Sequence, residues 1–166
     1  IILVFLLRHH SPGRLGVFSF VTPVVGVLLS ALLLDETVSS YLLVSMGLVA
    51  FGNIARATAR KAKVFGLEVL TYDPYIQPWI AKEYKVETVP TLEELANRSD
   101  FISMHTPLNN ETRKLLGESF FKAMKRTAYF INTCRGPTVD EAALIRALQQ
   151  GEIAGAAIDV FEVEPT

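Results

Sequence analysis

Gly47-Leu48-Val49-Ala50-Phe51-Gly52-Asn53-Ile54-Ala55 is the stretch on which the fold turns. Read forwards, an apolar run enters a turn of small residues and leaves as a segment able to start a helix. Read backwards, the same residues close a long apolar region. If Gly47–Phe51 forms a strand, it is the natural first and central member of a sheet. If it stays helical with Val38–Met46, the sheet loses that strand and the turn behind it.

The surrounding composition breaks at this stretch. Residues 1–52 carry only Arg8, Arg14, Asp35 and Glu36, and every other Lys, Arg, Asp and Glu of the chain follows Gly52. A length of 166 residues suits one domain, or one domain with an appendage. A formal charge of −1 argues against a nucleic-acid binder, which needs a basic face. One cysteine, Cys134, excludes a disulfide framework and fits a reducing compartment.

Upstream lies an apolar hairpin. Leu15–Leu34 is 20 residues without a charge, which as helix spans roughly 30 Å, the hydrocarbon thickness of a bilayer. Asp35-Glu36-Thr37 breaks the run, and Val38–Ala55 is again uncharged. No amphipathic face is visible in the first run, and its Ser, Thr, Gly and Pro residues suit helices packed inside membranes. The basic Arg8–Arg14 turn and the Arg56–Lys63 segment flank the hairpin's open ends, which by the positive-inside tendency face the cytoplasm. The strings Phe18-Ser19-Phe20-Val21-Thr22-Pro23 through Asp35-Glu36, and Tyr41–Gly52, resemble the final hairpin of the EamA drug/metabolite transporters. The resemblance implies a fragment, because such permeases have several more helices.

Downstream, short apolar runs alternate with charged amphipathic segments, the pattern of βαβ units. Strands are expected near Gly47–Phe51, Glu68–Tyr72, Phe101–Met104, Ala128–Asn132 and Ala154–Asp159. Helices are expected near Asn53–Phe65, Pro78–Tyr84, Leu92–Arg98, Glu118–Met124 and Glu141–Gln149. The turn after the first strand is a degraded G-x-G-x-x-G fingerprint, reading Ala50-x-Gly52-x-x-Ala55. Gly52 keeps the position that lets backbone approach a pyrophosphate, and Ala55 is small enough for helix–strand packing. Ala50 departs from the pattern, since the first glycine makes the tight turn and a Cβ strains it. The free N–H groups of Asn53 and Ile54 would still point at an anion bound there. On its own the motif is weak, as any small-residue strand–helix turn can spell it.

Asp73 stands 21 residues after Gly52, at the end of the Glu68–Tyr72 strand. A carboxylate there hydrogen-bonds ribose hydroxyls and repels a 2′-phosphate, favouring NAD over NADP; the competing reading is a strand-ending turn before Pro74. The expected fold class is therefore α/β: a Rossmann-type, mainly parallel sheet with flanking helices over residues 47–166, preceded by the apolar helical hairpin of residues 1–46. Ser103–Asn109 ends a third strand. His105 within it reads as structural more than catalytic, because it sits on the adenine side of the expected site. Asn132-Thr133-Cys134-Arg135-Gly136 ends another, and an arginine there can hold a substrate carboxylate bidentately. Cys134 has no evident base and reads as packing. Asp159, Glu162 and Glu164 close the last strand; without histidine ligands they suit hydrogen bonding and pKa tuning, so no metal site is expected.

Together, Gly47–Pro74, Ser99–Gly117 and Ala128–Pro165 resemble the D-isomer-specific 2-hydroxyacid dehydrogenases, the group of phosphoglycerate, glyoxylate/hydroxypyruvate and formate dehydrogenases. The resemblance implies an oxidoreductase that moves hydride between NAD(H) and a small 2-oxo or 2-hydroxy acid. It implies that Gly52, Asn53 and Ile54 meet the pyrophosphate and Asp73 the adenosine ribose. Thr106 and Thr133 would line the cofactor cleft, and Asp159 would bind the nicotinamide carboxamide. Arg135 would bind and polarise the 2-oxo acid, and Glu164 would pair with a catalytic histidine and raise its pKa. In the family that histidine follows the acidic segment in a Pro-His stretch, which does not occur before the last residue, Thr166. The expectation is an incomplete catalytic set, with negligible turnover by this chain alone.

Three readings compete at this point. The first is an NAD-binding dehydrogenase domain, cytoplasmic, behind a membrane-like hairpin. The second is an EamA-type permease fragment with an incidental tail. In the third, residues 15–46 fold as ordinary helices that cover the sheet or form a homodimer contact, since an exposed apolar surface of that length would aggregate. Membrane contact through residues 15–46, or its replacement by a dimer, is what separates them.

Overall fold

The computed structural model describes residues 44–164. The apolar hairpin expected for residues 1–46, and with it the expected membrane or dimer contact through residues 15–46, lies outside the described residues except for its last three positions. Among the described residues no helix is long and apolar enough to cross a membrane.

In chain order the elements are β1 (Ser45–Val49), α1 (Asn53–Val64), β2 (Glu68–Tyr72), α2 (Pro78–Tyr84), β3 (Glu87–Thr88), α3 (Leu92–Arg98), β4 (Phe101–Met104), α4 (Glu118–Ala123), β5 (Tyr129–Asn132), a 3₁₀ turn (Gly136–Thr138), α5 (Glu141–Gln149) and β6 (Gly155–Ile158). The strands form one parallel sheet in the order β3-β2-β1-β4-β5-β6. That is the order of a dinucleotide-binding sheet, with its switch point between β1 and β4.

The deciding stretch is therefore a strand followed by a turn. β1 pairs with β2 on one side, Val49 opposite Tyr72, and with β4 on the other, Val49 opposite Met104. It begins at Ser45, two residues before the expected start. The reason is a contact distant in sequence. Ser45 N–H and Oγ reach Asp100 Oδ2 at 2.9 and 3.1 Å, and Ser45 Oγ also donates to the Arg98 carbonyl. Burial pushes the Asp100 carboxyl up, but the Lys125 ammonium and the Ser45 donors outweigh it and hold the group below its usual range. Ser45 and Met46, expected to end the apolar hairpin, thus pair in the sheet. β3 was not anticipated: it is two exposed polar residues, too short to carry a period-2 pattern.

Both faces of the sheet are covered, as an all-parallel sheet requires. On one face Leu48, Phe51 and Val69 pack with Ala55, Ala59 and Ala62 of α1 and Ile80 of α2. The alanines, spaced for one helical face, let α1 lie close to the strands. On the other, Val49, Leu70, Ile102, Met104 and Phe130 meet Leu95 of α3, Phe121 of α4 and Leu144 of α5. The helix starts follow their sequences. Thr91 Oγ1 accepts the Glu94 N–H at 3.1 Å in a Thr-x-x-Glu spelling, and an Asp140 carboxylate oxygen accepts the Ala143 N–H at 3.2 Å.

Gly47 permits the closest helix–strand approach. A Cβ on it would stand 2.4 Å from Ser99 Oγ and 3.0 Å from Leu95 Cγ. Gly47→Ala is expected to lower stability by about 1–3 kcal/mol through overpacking. The check is the urea midpoint of unfolding at pH 7.5; an unchanged midpoint would show that α3 is not held against β1 as described.

Candidate functional site

The strand registers bring Tyr72, Val49, Met104, Asn132 and Ile158 to one level of the sheet. The residues that follow them therefore emerge together along the carboxyl edge: Asp73, Ala50, His105, Thr133 and Asp159. Open α/β sheets bind ligands at this edge, outside the switch point.

The turn after β1 starts at Ala50, whose φ is +68°. The expectation that a Cβ at this fingerprint position strains the turn thus stands, at a cost of about 1–2 kcal/mol. The strain is held by two bonds: Ala50 N–H donates to the Tyr72 carbonyl at 2.8 Å, and Phe51 N–H to Asp73 Oδ2 at 2.8 Å. Phe51 is buried, in edge contact with Tyr84 at 5.6 Å between ring centroids. Gly52, Asn53 and Ile54 then come out to solvent. Gly52 is the N-cap of α1 and no side chain caps the helix, so its first N–H groups point outward unclaimed by any cap. A Cβ on Gly52 would meet nothing within 4 Å, so the space above the turn is open.

Asp73 is more engaged than the sequence implies. Besides Phe51 N–H on Oδ2, its Oδ1 accepts the Tyr75 N–H at 2.9 Å. A carboxylate offers about four acceptor sites, so two remain open. Thr106 is buried at the switch point, with its hydroxyl turned onto the Val49 carbonyl at 3.3 Å. Thr133 and Asp159 are exposed, and Asp159 N–H donates to the Asn132 carbonyl at 3.0 Å.

Arg135 and Glu164 come to one cleft of about 330 Å³, which Cys134, Gly136, Pro137, Val160, Phe161 and Glu162 complete. The backbone of Arg135 is pinned while its guanidinium is exposed. Its carbonyl accepts Asn132 Nδ2 at 3.2 Å and Thr138 Oγ1 at 2.6 Å, and Nη1 donates to the Cys134 carbonyl at 2.6 Å. Glu164 Oε1 accepts the Phe161 N–H at 2.8 Å. Asn132 was not singled out from sequence. It is buried, and its Oδ1 also accepts the Cys134 N–H at 3.1 Å, so it folds the loop back over the strand end. Its only sequence signal is a polar residue ending an apolar strand. Cys134 behaves as packing: it is half-buried, and burial pushes its thiol up. No group of three or more His, Cys, Asp or Glu able to hold a metal occurs among the described residues.

Residues 40–166 match the family model described as D-isomer specific 2-hydroxyacid dehydrogenase, NAD binding domain. The chain belongs to that family. Glyoxylate reductase of Korarchaeum cryptofilum is 50% identical over 121 residues, covering 73% of this chain and 36% of that protein. D-3-phosphoglycerate dehydrogenase of Methanocaldococcus jannaschii is 41% identical over 121 residues, covering 73% of this chain and 23% of that one. The NAD-complexed D-isomer specific 2-hydroxyacid dehydrogenase of Lactobacillus delbrueckii ssp. bulgaricus superposes with a TM-score of 0.66 at 38% identity, over 71% of this chain and 36% of that one. The chain thus spans about a third or less of the length of these relatives.

The cofactor of this NAD-binding domain is NAD, and the residues present fit it. An open turn with uncapped N–H groups can receive a pyrophosphate, and the half-engaged Asp73 carboxylate can receive a ribose. His105 takes no visible part. Its backbone N–H donates to the Val49 carbonyl at 3.0 Å, while its ring Nε2 is buried without a partner. Burial pushes its pKa below the ordinary 6.5. The folded state therefore prefers the neutral ring. Its contribution is full above the unfolded pKa and is lost as pH falls from about 6.5 through the lower folded value. The urea midpoint is expected to drop between pH 7.5 and pH 5.5, and His105→Gln to flatten that drop; an equal drop in both proteins would remove His105 as its source.

Proposed function

We propose that this chain is the cofactor-holding part of a dehydrogenase that interconverts a small 2-oxo acid and the corresponding D-2-hydroxy acid. NAD supplies the hydride acceptor, and its reduced form the donor. Gly52, Asn53 and Ile54 hold the pyrophosphate at the start of α1, and Asp73 holds the adenosine ribose. Thr106 and Thr133 flank the cofactor path across the switch point, and Asp159 meets the nicotinamide carboxamide. Arg135 clamps the substrate carboxylate and polarises its carbonyl with a guanidinium that stays charged at any working pH. Glu164 hydrogen-bonds the histidine acid/base that the family carries and raises its pKa, so that a proton is available as hydride arrives.

The observation that carries this reading is the shared cleft of Arg135 and Glu164 at the same sheet edge as Gly52 and Asp73. An anion-binding arginine and a carboxylate beside a nucleotide turn are what hydride transfer to a 2-oxo acid needs. The alternative of an NAD-binding module without chemistry leaves that pairing without a use.

Titration calorimetry tests the nucleotide assignment. Asp73→Ala is expected to weaken NAD binding by roughly tenfold or more, as loss of charge-assisted bonds implies. Asp73→Asn keeps one acceptor oxygen for Phe51 N–H and should weaken it less, while NADP binds more weakly than NAD to the native chain. Equal affinity of native and Asp73→Ala chains for NAD would overturn the ribose assignment.

A further inference from the structure

Gly136 carries the tightest contact in the candidate cleft. A Cβ on it would lie 1.8 Å from the Phe161 carbonyl oxygen, 2.0 Å from its carbon and 2.7 Å from Glu162 N. The backbone of the acidic segment rests directly on this glycine, so no side chain is tolerated without moving one or the other. Two further contacts hold the same segment. Glu162 N–H donates to Glu141 Oε2 at 2.8 Å, from the first turn of α5. Lys114 Nζ pairs with Glu162 Oε1 at 2.8 Å, which holds the lysine above its usual pKa.

Lys114 is itself held in place. Its φ is +51°, a left-handed conformation unusual for lysine, and its N–H donates to the Pro137 carbonyl at 2.8 Å. The neighbouring Leu116 N–H donates to the Thr138 carbonyl at 3.3 Å, and Asp140 N–H to the Leu116 carbonyl at 3.0 Å. Three pieces of chain, those after β4, β5 and β6, are thereby tied at one place. Their common product is the position of residues 160–164 opposite Arg135.

We infer that Gly136, Glu141 and Lys114 are positioning residues that clamp the segment 160–164 against the Arg135 loop and so set where Glu164 stands in the cleft. The inference rests on the reading of Arg135 and Glu164 as the substrate side of the site. Lys114 and Glu141 do not line the cleft, and Gly136 gives its wall backbone alone. Gly136 sets the spacing between the two segments, Glu141 sets the backbone register, and Lys114 holds the side chain of Glu162 and so keeps the acidic segment from lifting.

Cys134 is a built-in probe, because it is the sole cysteine of the chain and lines the same cleft as residues 160–164. Its alkylation by iodoacetamide, followed by intact mass, reads how firmly the cleft wall is held. Lys114→Met is expected to raise the rate roughly threefold, within the range of an exposed ion pair. Gly136→Ala is expected to raise it roughly tenfold, as overpacking displaces the wall. Lys114→Arg should stay at the native rate, and the exchange Lys114→Glu with Glu162→Lys should return most of the way to it, which a general loss of stability would not do. NAD affinity should be unchanged in the Lys114 variants. A second arm titrates oxalate, an anionic stand-in for a 2-oxo acid, into the NADH-bound chain, where Lys114→Met should weaken binding roughly threefold. Native alkylation rates in both Lys114→Met and Gly136→Ala would overturn the clamp. Failure of oxalate to bind the native chain would instead count against the Arg135 reading, and the alkylation arm would still decide the clamp.

Discussion

The Asp73 carboxylate, accepting the Phe51 N–H at 2.8 Å, is the interaction on which the rest of the structure depends. It ties the turn after β1 to the end of β2, beside the backbone bond from Ala50 N–H to the Tyr72 carbonyl. Charge-assisted bonds of this kind are roughly twice as strong as neutral ones. The bond fixes where Gly52 leaves the sheet, hence where α1 begins and where its N–H groups point. The same carboxylate retains acceptor sites that these bonds leave open. On the proposed reading, one side chain would couple the shape of the turn to the recognition of the nucleotide's sugar.

That coupling explains how the turn tolerates an alanine where the fingerprint has glycine. Ala50 at φ +68° is strained, but strain persists where the surroundings over-determine the conformation. Here a bond to Tyr72 and a bond to Asp73 hold the two successive N–H groups, and buried Phe51 anchors the far side of the turn. Ala55, Ala59 and Ala62 add a flat helix face that lets α1 sit close to β1 and β2. What looked like damage to a motif is a local cost offset by its neighbours.

The sequence made the layered fold legible because its signals there are local. Among the described residues, period and punctuation marked each helix within a residue or two, and they marked all strands but one. The edge strand β3 carries no pattern in its two residues. The start of β1 was hidden because Ser45 is held by Asp100, 55 positions away. The candidate residues were legible as residue types at strand ends, and Gly52, Asp73, Thr133 and Asp159 do line one edge. Its inner workings were not. That Thr106 turns its hydroxyl onto Val49, that Asn132 folds the Arg135 loop, and that Gly136 carries the Phe161 backbone are facts of three-dimensional approach. No spacing rule in one dimension encodes them.

Amide chemical-shift mapping of the isotope-labelled chain during an NAD titration tests the central claim most directly. The account predicts that the largest shifts fall on Gly52, Asn53, Ile54, Asp73, Thr133 and Asp159, along the carboxyl edge of the sheet. It predicts that residues at the opposite edge, such as Ser45, Asp100 and Tyr129, stay still. Saturable shifts centred on that opposite edge, or no shifts in the turn after β1, would contradict it.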